Sequence, residues 1–283
     1  MPTTATTITK DFLDRTVIVT GASRGIGKAI ALSLAAHGAN VVVAAKTTDD
    51  SAQKLKGTIH DTASEIEAIG GQALAVPLDV RDDQAIAAMI AATVARFGRI
   101  DALVNNAGAI RLEPVAALSP ERFDLLWQVN VRAAYACAHY AIPHLRNSDR
   151  AHILNLSPPL NLAPHWLAGK TGYTITKYGM SMLTLGLAQE VAAAGIAVNA
   201  LWPKTAIATA AIAWLLGESA LKATRHPAIV ADAVLAILRS PVDRYQGQLL
   251  TDEEVLGAEG VQDFTAYAVA PGTPLLPDFY IDP

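Results

Sequence analysis

The sequence predicts a single α/β domain in which a doubly wound parallel sheet lies between two layers of helices. Short runs of apolar and β-branched residues alternate with helix-length segments along most of the chain. These runs are apolar throughout instead of alternating with polar residues, which is typical of parallel strands buried on both faces. The chain has 283 residues, and no linker, low-complexity block or internal repeat divides it. One large domain is therefore expected.

Four strands and three helices are predicted in the first part of the chain. The first strand is the β-branched run TVIVT, which ends in a glycine-rich turn, and later glycines mark helix ends. Strands are expected at residues 16–20, 40–45, 73–78 and 102–105. Helices are expected at residues 28–37 and 59–69, and from a capping aspartate at 82 or 83 to residue 97.

The same alternation continues in the second part. The triplet Ser119-Pro120-Glu121 is a favourable helix start, with a capping serine and a proline in the first turn. Helices are expected from there to about 144, and at 173–194, 205–216 and 227–238; strands are expected at 152–156, 196–201 and 248–251. The acidic triplet 252–254 is interpreted as a solvated turn, and the proline-rich end PGTPLLPDFYIDP as extended chain.

The composition argues against several classes of protein. Hydrophobic residues make up 52% and charged residues 17%, which excludes an intrinsically disordered chain. The net charge is −4 without a cluster of Lys and Arg, so no nucleic-acid partner is expected. Pro, Gly, Asn or His interrupts the longest uncharged stretches, and the N-terminus has no signal-like run, so no membrane span is expected. The single cysteine, Cys137, fits a reducing compartment, and a cytoplasmic protein is expected.

A glycine-rich turn, TGASRGIG, follows the first predicted strand and opens the first predicted helix. Glycines in this position allow a tight turn and a close approach of the backbone to a phosphate, and the free amides at the helix start hold the anion. The alternative is a purely structural glycine turn. The residues expected to contact a dinucleotide here are Gly21, Ser23, Arg24, Gly25, Ile26 and Gly27.

The spacing GxxxGxG resembles that of the short-chain dehydrogenase/reductase family, and two further motifs match it in the same order. These are Asn105-Asn106-Ala107-Gly108 and the pair Tyr173 and Lys177 in YTITK. The stretches NLSPPLNL, YTITKYGMSM and NALWPKTAIATAA resemble a narrower group, the hydroxysteroid dehydrogenase-like proteins and bacterial citronellol/citronellal dehydrogenases.

The resemblance implies a domain organisation and an assembly. It covers residues 12–251 as a Rossmann-fold domain with a substrate lid near 203–225. A polar N-terminal segment, 1–11, precedes this domain, and a C-terminal extension, 252–283, follows it. The extension is expected either to cover the pocket or to cross to a neighbouring subunit. A homodimer or homotetramer is implied.

The sequence favours NADP(H) over NAD(H), although NAD(H) stays possible. Sites that prefer NAD place a carboxylate about 20 residues beyond the glycine loop, where it accepts the ribose hydroxyls. Here the second strand ends in Ala-Ala-Lys46, and Arg24 lies inside the glycine loop. Two cations suit a 2′-phosphate, and the alternative is that both are simply solvated. The resemblance adds as cofactor contacts Asp79, Val80, Asn106, Ala107, Gly108, Tyr173, Lys177, Pro203 and Thr205.

Tyr173 and Lys177 are four residues apart, so a helix presents them on one face. A neighbouring ammonium and a positive nicotinamide ring are expected to lower the tyrosine pKa, so that Tyr173 exchanges a proton with the substrate while hydride is transferred. The resemblance makes Asn130 the residue that holds a water for the proton relay; the alternative is a polar side chain bonded within its own helix.

The serine expected to polarise the substrate is Ser157, at the end of the fifth strand. The resemblance places that serine one residue later, where this chain has Pro158. Because neighbouring strand residues point to opposite faces, this offset turns Ser157 away unless the prolines bend the chain. Asn161 and Thr171 are the alternative donors.

Two apolar segments, 158–172 and 202–216, are expected to wall the substrate pocket. They favour an apolar alcohol, aldehyde or ketone, with citronellol or citronellal as the first candidate. A reductase of steroid, fatty or acyl-thioester carbonyls is the alternative enzyme, and a nucleotide-binding protein without catalysis is the alternative of another class. Core or interface packing would also explain these segments, while Lys170 and Lys204 keep an acidic substrate possible. No cluster of residues has metal-ligand spacing, so no metal is expected.

Overall fold

The computed structural model describes residues 10–51 and 55–282. Most of the polar N-terminal segment, residues 1–9, lies outside the described residues. The described chain forms a seven-stranded sheet in the order β3-β2-β1-β4-β5-β6-β7, and every neighbouring pair is parallel. The strands are β1 (Thr16–Thr20), β2 (Asn40–Ala45), β3 (Gln72–Pro77), β4 (Ala102–Asn105), β5 (Ala151–Asn155), β6 (Ile196–Trp202) and β7 (Leu249–Thr251). The predicted doubly wound parallel sheet is confirmed.

Ten α-helices connect and cover these strands within the described residues. They are α1 (Gly25–Ala36), α2 (Ile59–Ala68), α3 (Asp83–Phe97), α4 (Pro120–Trp127), α5 (Ala133–Leu145), α6 (Pro164–Leu167), α7 (Thr171–Val191), α8 (Ala210–Leu216), α9 (Ala228–Arg239) and α10 (Asp252–Ala258). Helices α4 and α5 are joined without a break by one wider π-helical turn, Gln128–Arg132. The single helix predicted from 120 to about 144 is therefore present, and such wide turns are frequent at functional sites.

Helix α8 begins five residues later than predicted. The residues before it are used in bridges to other segments, because Thr205 pairs with Pro277 and Ile207 pairs with Arg225. The side chain of Thr209 then accepts the Ile212 amide and caps the helix. Long-range pairing, which periodicity cannot show, replaces the first turn of the predicted helix.

The acidic triplet is not a solvated turn, and that prediction is wrong. Asp252 is fully buried and opens α10, where Thr251 and Glu254 form a reciprocal capping box. The Asp252 carboxylate also accepts a 2.9 Å hydrogen bond from the Lys204 amide. Carboxylates are stabilised at a helix N-terminus by the free amides and the helix dipole, which is why three acidic residues start this helix.

The sheet has one hydrophobic cluster on each face, as a parallel sheet with crossover helices requires. Strand order reverses between β1 and β4, so the loops that follow these two strands part there and leave a crevice at the carboxyl edge of the sheet. Among the described residues, no helix combines the length and the hydrophobicity that crossing a membrane requires.

Candidate active site

The glycine loop is shaped by close backbone packing. A Cβ at Gly27 would lie 2.4 Å from the carbonyl oxygen of Gly21, and one at Gly21 would lie 2.9 Å from the Ala107 Cα. Gly21 and Gly25 have φ of +68° and +58°, a region that favours glycine. In the described structure no side chain caps the first turn of α1. Its amides are therefore free to receive an anion.

Asn106 ties the two loops at the crevice together. Its Nδ2 donates to the carbonyl oxygens of Thr20 (2.9 Å) and Gly21 (3.2 Å). The hydroxyl of Thr20 in turn accepts from the amides of Asn106 and Ala107. The Asn106 side chain thus fixes the shape of the crevice with both of its donors.

A cavity of about 450 Å³, which we term the outer cavity, lies beside the glycine loop. It brings together eight of the residues predicted to bind cofactor: Gly21, Ser23, Arg24, Lys46, Asp79, Val80, Ala107 and Gly108. Arg24 donates to the Thr47 hydroxyl (3.1 Å) and to the Gly57 carbonyl (2.9 Å). Lys46 is exposed at its rim. Both cations predicted to favour a 2′-phosphate line this cavity.

Arg81 is a third cation of the outer cavity, and the sequence analysis missed it. Its Nε donates a 2.9 Å hydrogen bond to an oxygen of Asp79, and its guanidinium is the main reason that the pKa of Asp79 falls to about 2. The available signal was a cation two residues after the aspartate at the end of β3. Asp79 is thus an ionised partner of Arg81, and the nearby Lys46 also contributes to lowering its pKa.

A second cavity of about 210 Å³, the central cavity, adjoins the outer one and shares Gly108 and Ala109 with it. Its lining residues are Ile26, Asn106, Gly108, Ala109, Ile110, Leu156, Tyr173, Lys177, Trp202, Pro203, Ile207, Thr209, Ile212, Asp278 and Phe279. The predicted contacts Ile26, Asn106, Gly108, Pro203 and the tyrosine–lysine pair therefore meet here. Gly25 and Gly27 form the start of α1. Thr205 is not in the lining, because it is buried in the bridge to Pro277.

Tyr173 and Lys177 lie on α7 and line the central cavity together. Lys177 Nζ donates a 2.7 Å hydrogen bond to the Leu156 carbonyl oxygen and lies 5.1 Å from the centre of the Trp202 ring. Burial lowers the pKa of Lys177 to about 8. Both side chains are thus held in an apolar environment at the end of β5.

The expected lowering of the Tyr173 pKa is not produced by the protein itself. Burial is the largest effect and raises the Tyr173 pKa well above its usual value, and Tyr280 and Asp278 add to the increase. Desolvation disfavours the charged tyrosinate, and its two acidic neighbours act in the same direction. Tyr173 is therefore held as a neutral proton donor, and a lower pKa requires a positive group in the cavity.

Asn130 lies in the π-helical turn and is fully buried. Its Oδ1 accepts from the Ala109 amide (2.8 Å), while Nδ2 donates to the Ala109 carbonyl (3.0 Å) and to the Thr176 hydroxyl (2.9 Å). The side chain thus joins the loop after β4 to helix α7. This geometry favours a positioning role, and the predicted relay water stays a prediction.

The structure does not bring Ser157 into the central cavity. The side chain is fully buried, its hydroxyl has no hydrogen-bond partner among the described residues, and Leu156 lines the cavity instead. The role predicted for Ser157 stays a prediction that its position does not favour. The alternative donors are also elsewhere: Asn161 Nδ2 bonds the Tyr280 carbonyl and Asp282, and Thr171 bonds the Leu167 carbonyl.

The two apolar segments behave differently, so the prediction for the first of them is wrong. Segment 202–216 contributes Trp202, Pro203, Ile207, Thr209 and Ile212 to the central cavity, whereas segment 158–172 contributes none of its lining. Trp166 and Leu167 instead pack against the cluster around Tyr280. The chain end around Tyr280 packs against segment 158–172 and covers the surface that the sequence predicts to contact the substrate. The two lysines are outside the lining as well, with Lys204 paired to Glu253 and Lys170 over the Trp166 and Phe279 rings.

The chain end reaches the central cavity and supplies part of its lining. Asp278 and Phe279 line it, and the Trp202 indole donates a 3.1 Å hydrogen bond to the Phe279 carbonyl. No signal in the sequence separates Asp278 from an ordinary surface carboxylate. Within the described residues, no group of three or more His, Cys, Asp and Glu side chains is arranged to hold a metal ion.

Comparison with protein families gives a match over most of the chain. A family model described as short chain dehydrogenase matches residues 15–214. Among curated proteins, hydroxysteroid dehydrogenase-like protein 2 of Danio rerio is 53% identical over 267 residues, which are 94% of this chain and 64% of that protein. The same protein of Homo sapiens is 51% identical over 267 residues, 94% of this chain and 63% of that protein. The chain thus spans less than two thirds of the length of these relatives.

Solved structures of other proteins superpose on most of this chain. A short chain dehydrogenase from Mycobacterium thermoresistibile is 45% identical with a TM-score of 0.90, covering 95% of this chain and 96% of that one. A metagenomic short-chain oxidoreductase, solved in complex with NADP, is 29% identical with a TM-score of 0.70, covering 85% of this chain and 97% of that one.

Proposed function

Because this chain belongs to the short-chain dehydrogenase/reductase family, we propose that it is an NADP(H)-linked oxidoreductase that interconverts an apolar alcohol and its aldehyde or ketone. One observation carries the proposal. Tyr173 and Lys177 lie in an apolar cavity that shares Gly108 and Ala109 with a cavity lined by cations. A nucleotide in the outer cavity would therefore reach the tyrosine with its nicotinamide end.

The residues of the outer cavity fit a phosphorylated dinucleotide. The uncapped first turn of α1 offers free amides to the pyrophosphate. Arg24 and Lys46 suit a 2′-phosphate, and the cofactor seen in the metagenomic relative is NADP. NAD(H) is the alternative cofactor. When bound, the nucleotide supplies or accepts the hydride at its nicotinamide ring.

Side chains of the protein transfer the proton to and from the substrate. Neutral Tyr173 gives its phenolic proton to the substrate oxygen during reduction and takes it back during oxidation. Lys177 holds positive charge beside the tyrosinate that forms, and its bond to the Leu156 carbonyl keeps the ammonium in place. Asn130 keeps the loop after β4 aligned with α7 through its three hydrogen bonds.

The apolar lining sets the class of substrate. Ile110, Trp202, Ile207, Ile212 and Phe279 surround the catalytic pair, so an uncharged, mostly apolar molecule gains most from burial. We take citronellal and citronellol as the first candidates. The names of the curated relatives favour steroid carbonyls as the second candidate class, together with fatty and acyl-thioester carbonyls.

The proposal extends to organisation and assembly. Residues 12–251 would form the catalytic domain, and segment 203–225 would be its lid, since it supplies Pro203, Ile207, Thr209 and Ile212 to the lining of the central cavity. Exposed apolar side chains on α4, α5 and α7 would lie between subunits of a homodimer or homotetramer: Trp127, Tyr135, Ile175 and Met182. Light scattering tests this, and a monomer at micromolar concentration contradicts it. The cytoplasmic location stays a prediction.

The decisive experiment is turnover of a panel of terpenoid, steroid and fatty alcohols and carbonyls with NADP(H) and NAD(H). We expect Tyr173→Phe to lose turnover by at least about 100-fold while it still quenches or enhances NADPH fluorescence on binding. A wild-type protein that binds NADPH but turns over no member of the panel would favour the alternative, a nucleotide-binding protein without catalysis.

A further inference from the structure

The central cavity has few side chains able to donate a hydrogen bond to a substrate oxygen. Its side chains with polar atoms are Asn106, Tyr173, Lys177, Trp202, Thr209 and Asp278, and the Trp202 indole donates to the Phe279 carbonyl. Asn106 uses both amide donors on carbonyl oxygens of the glycine loop, and Lys177 bonds the Leu156 carbonyl. Thr209 caps α8 and faces Gly25, on the nucleotide side. Tyr173 and Asp278 are the two remaining polar side chains of this lining.

A second hydrogen-bond donor to the substrate oxygen is needed, because the serine that the family resemblance predicts for this role does not reach the cavity. Ser157 is buried away from the cavity without a partner, and Pro158 has no hydroxyl. When a carbonyl is reduced, negative charge develops on its oxygen, and a preorganised second donor there stabilises the transition state. With Tyr173 alone, the oxygen would have one donor in an apolar cavity.

Asp278 is held firmly at the cavity wall. Its amide donates to the Lys204 carbonyl (3.1 Å), and the preceding Pro277 forms a bridge with Thr205. Its Oδ1 accepts a 2.7 Å hydrogen bond from the Phe279 amide. Among the described residues none is recorded as bonding Oδ2. One carboxyl oxygen is therefore fixed by the backbone, and the other is available to a ligand.

The surroundings of Asp278 favour a carboxyl group that keeps its proton near neutral pH. Burial raises the pKa of Asp278 to about 7, and the nearby Asp252 adds to the increase, whereas Lys177 opposes it. A protonated carboxyl group carries one O–H donor, which an ionised one lacks. The titratable and charged groups that act on Asp278 or lie beside its contacts are Tyr173 and Lys177 on α7, Asp252 and Glu253 on α10, Lys204 after β6, and Tyr280 on the chain end.

We propose that Asp278 is a further catalytic residue, whose protonated carboxyl group donates a hydrogen bond to the same substrate oxygen that receives the proton of Tyr173. The inference rests on the proposed function. In reduction the carbonyl carbon takes the hydride, its oxygen takes the tyrosine proton, and the tyrosinate regains a proton from solvent. Asp278 keeps its own proton throughout and stabilises the developing negative charge.

Two substitutions of Asp278 distinguish the effect of its hydrogen-bond donor from the effect of its protonation state. Asp278→Leu keeps the size but removes the donor, and we expect kcat/KM for reduction of citronellal, or of the best carbonyl in the panel, to fall about 100-fold. Asp278→Asn keeps a donor that does not titrate, and we expect a loss within about tenfold. Asp263→Asn, an exposed carboxylate further back in the same extension, serves as the matched control and should behave like the wild type. Thermal unfolding of each variant shows whether it folds.

The pH dependence of reduction gives the readout that a merely structural role would not change. The wild type should lose kcat/KM as the pH rises through about 7, because Asp278 then loses its proton. In Asp278→Asn the decrease should move towards pH 8, close to the pKa of Lys177 in the same cavity. An Asp278→Asn variant with the wild-type profile overturns the proposal. So does a folded Asp278→Leu variant with wild-type kcat/KM, even if Tyr173→Phe is inactive and the proposed function stands.

A binding measurement decides the proposal even if no carbonyl in the panel is reduced. Hexanamide, whose carbonyl is not reduced, is titrated into the NADPH complex and followed by NADPH fluorescence. We expect binding to the wild type to be at least about tenfold tighter at pH 6 than at pH 8.5, and this difference to vanish in Asp278→Asn. Binding that is absent in the wild type, or equal at both pH values, overturns the role of Asp278.

Discussion

Lys177 Nζ and the carbonyl oxygen of Leu156 lie 2.7 Å apart, joined by a buried hydrogen bond between α7 and the end of β5. The lysine is thereby held at the strand end where the central cavity begins. A buried ammonium is costly unless it is bonded or paired, and here one backbone carbonyl and the Trp202 ring are its recorded partners together with the Met180 sulfur.

Lys177→Met is expected to stabilise the fold and impair catalysis. Burial lowers the Lys177 pKa from 10.5 to about 8, so the unfolded state binds the proton more readily below pH 10.5. The buried ammonium therefore lowers the free energy of unfolding by its full amount below about pH 8. This destabilisation decreases as the pH rises above 8 and disappears at about pH 10.5. We expect a higher Tm than that of the wild type at pH 7, a smaller difference at pH 10, and about 100-fold lower kcat. Lys10→Met at an exposed lysine is the control, and a lower Tm at pH 7 would contradict the prediction.

Asn130→Ala is expected to destabilise the protein by about 3 kcal/mol, at about 1 kcal/mol for each of its three hydrogen bonds. The loss leaves the Ala109 amide and carbonyl without partners and frees the loop after β4 from α7. Urea denaturation measures the change. Asn147→Ala, at an exposed asparagine after α5, should change stability by less than about 0.5 kcal/mol, and equal effects at both positions would refute the positioning role.

Lys46→Ser is expected to raise KM for NADPH about tenfold and to leave KM for NADH unchanged. Lys46 lies at the rim of the outer cavity, where its charge suits the 2′-phosphate that only NADP(H) carries. Steady-state kinetics with both cofactors measure the ratio. Lys10→Ser removes an exposed lysine that lies outside the lining of both cavities and should leave both KM values unchanged. An equal change for NADPH and NADH would rule out a contact with the 2′-phosphate.

Tyr280 substitutions test how the chain end is held. The side chain is 1% exposed, packs against Tyr178, Trp166 and Trp202, and lies 3.1 Å from the Thr174 hydroxyl. We expect Tyr280→Ala to cost about 3–5 kcal/mol through the cavity it leaves, and Tyr280→Phe about 1 kcal/mol through one lost hydrogen bond. Tyr280→Ala should also be cut sooner within 276–282 by limited proteolysis, and wild-type resistance would argue against this anchoring.

Ser157→Ala is expected to keep kcat within about threefold of the wild type. The hydroxyl is buried without a recorded partner, so its removal leaves no group unsatisfied and should keep or raise the free energy of unfolding. Turnover and urea denaturation of the same preparation measure both. A loss of kcat by 100-fold with unchanged stability would show that Ser157 reaches the substrate after all.

The strands could be predicted because each of them is a short, continuous run of apolar residues in the sequence. Runs such as 40–45 are buried on both faces of a parallel sheet, so they are apolar throughout, and their predicted bounds agree with β2. The glycine loop and the pair Tyr173 and Lys177 could be found for a similar reason. Their chemistry depends on spacing within one turn or one helix, and spacing is visible in the sequence.

Where contacts join distant parts of the chain, local patterns were insufficient. The start of α8 was placed too early because Thr205 and Ile207 pair with Pro277 and Arg225. Arg81 was missed because only the fold shows that it faces the same cavity as Arg24. The loop 158–172 was assigned to substrate because its apolar side chains could not reveal that Tyr280, more than 100 residues later, packs against Trp166.

The parallel sheet, the glycine turn at its carboxyl edge and the helix that presents Tyr173 and Lys177 together can all be predicted from the order of the residues. Each of these follows from hydrophobic periodicity or short spacing, which act within one element. The burial of Ser157, the raised pKa of Tyr173 and the position of Asp278 in the cavity lining are seen only in the folded chain. Those properties depend on burial and on packing between distant segments, because desolvation and the direction of a side chain are set by everything that surrounds it.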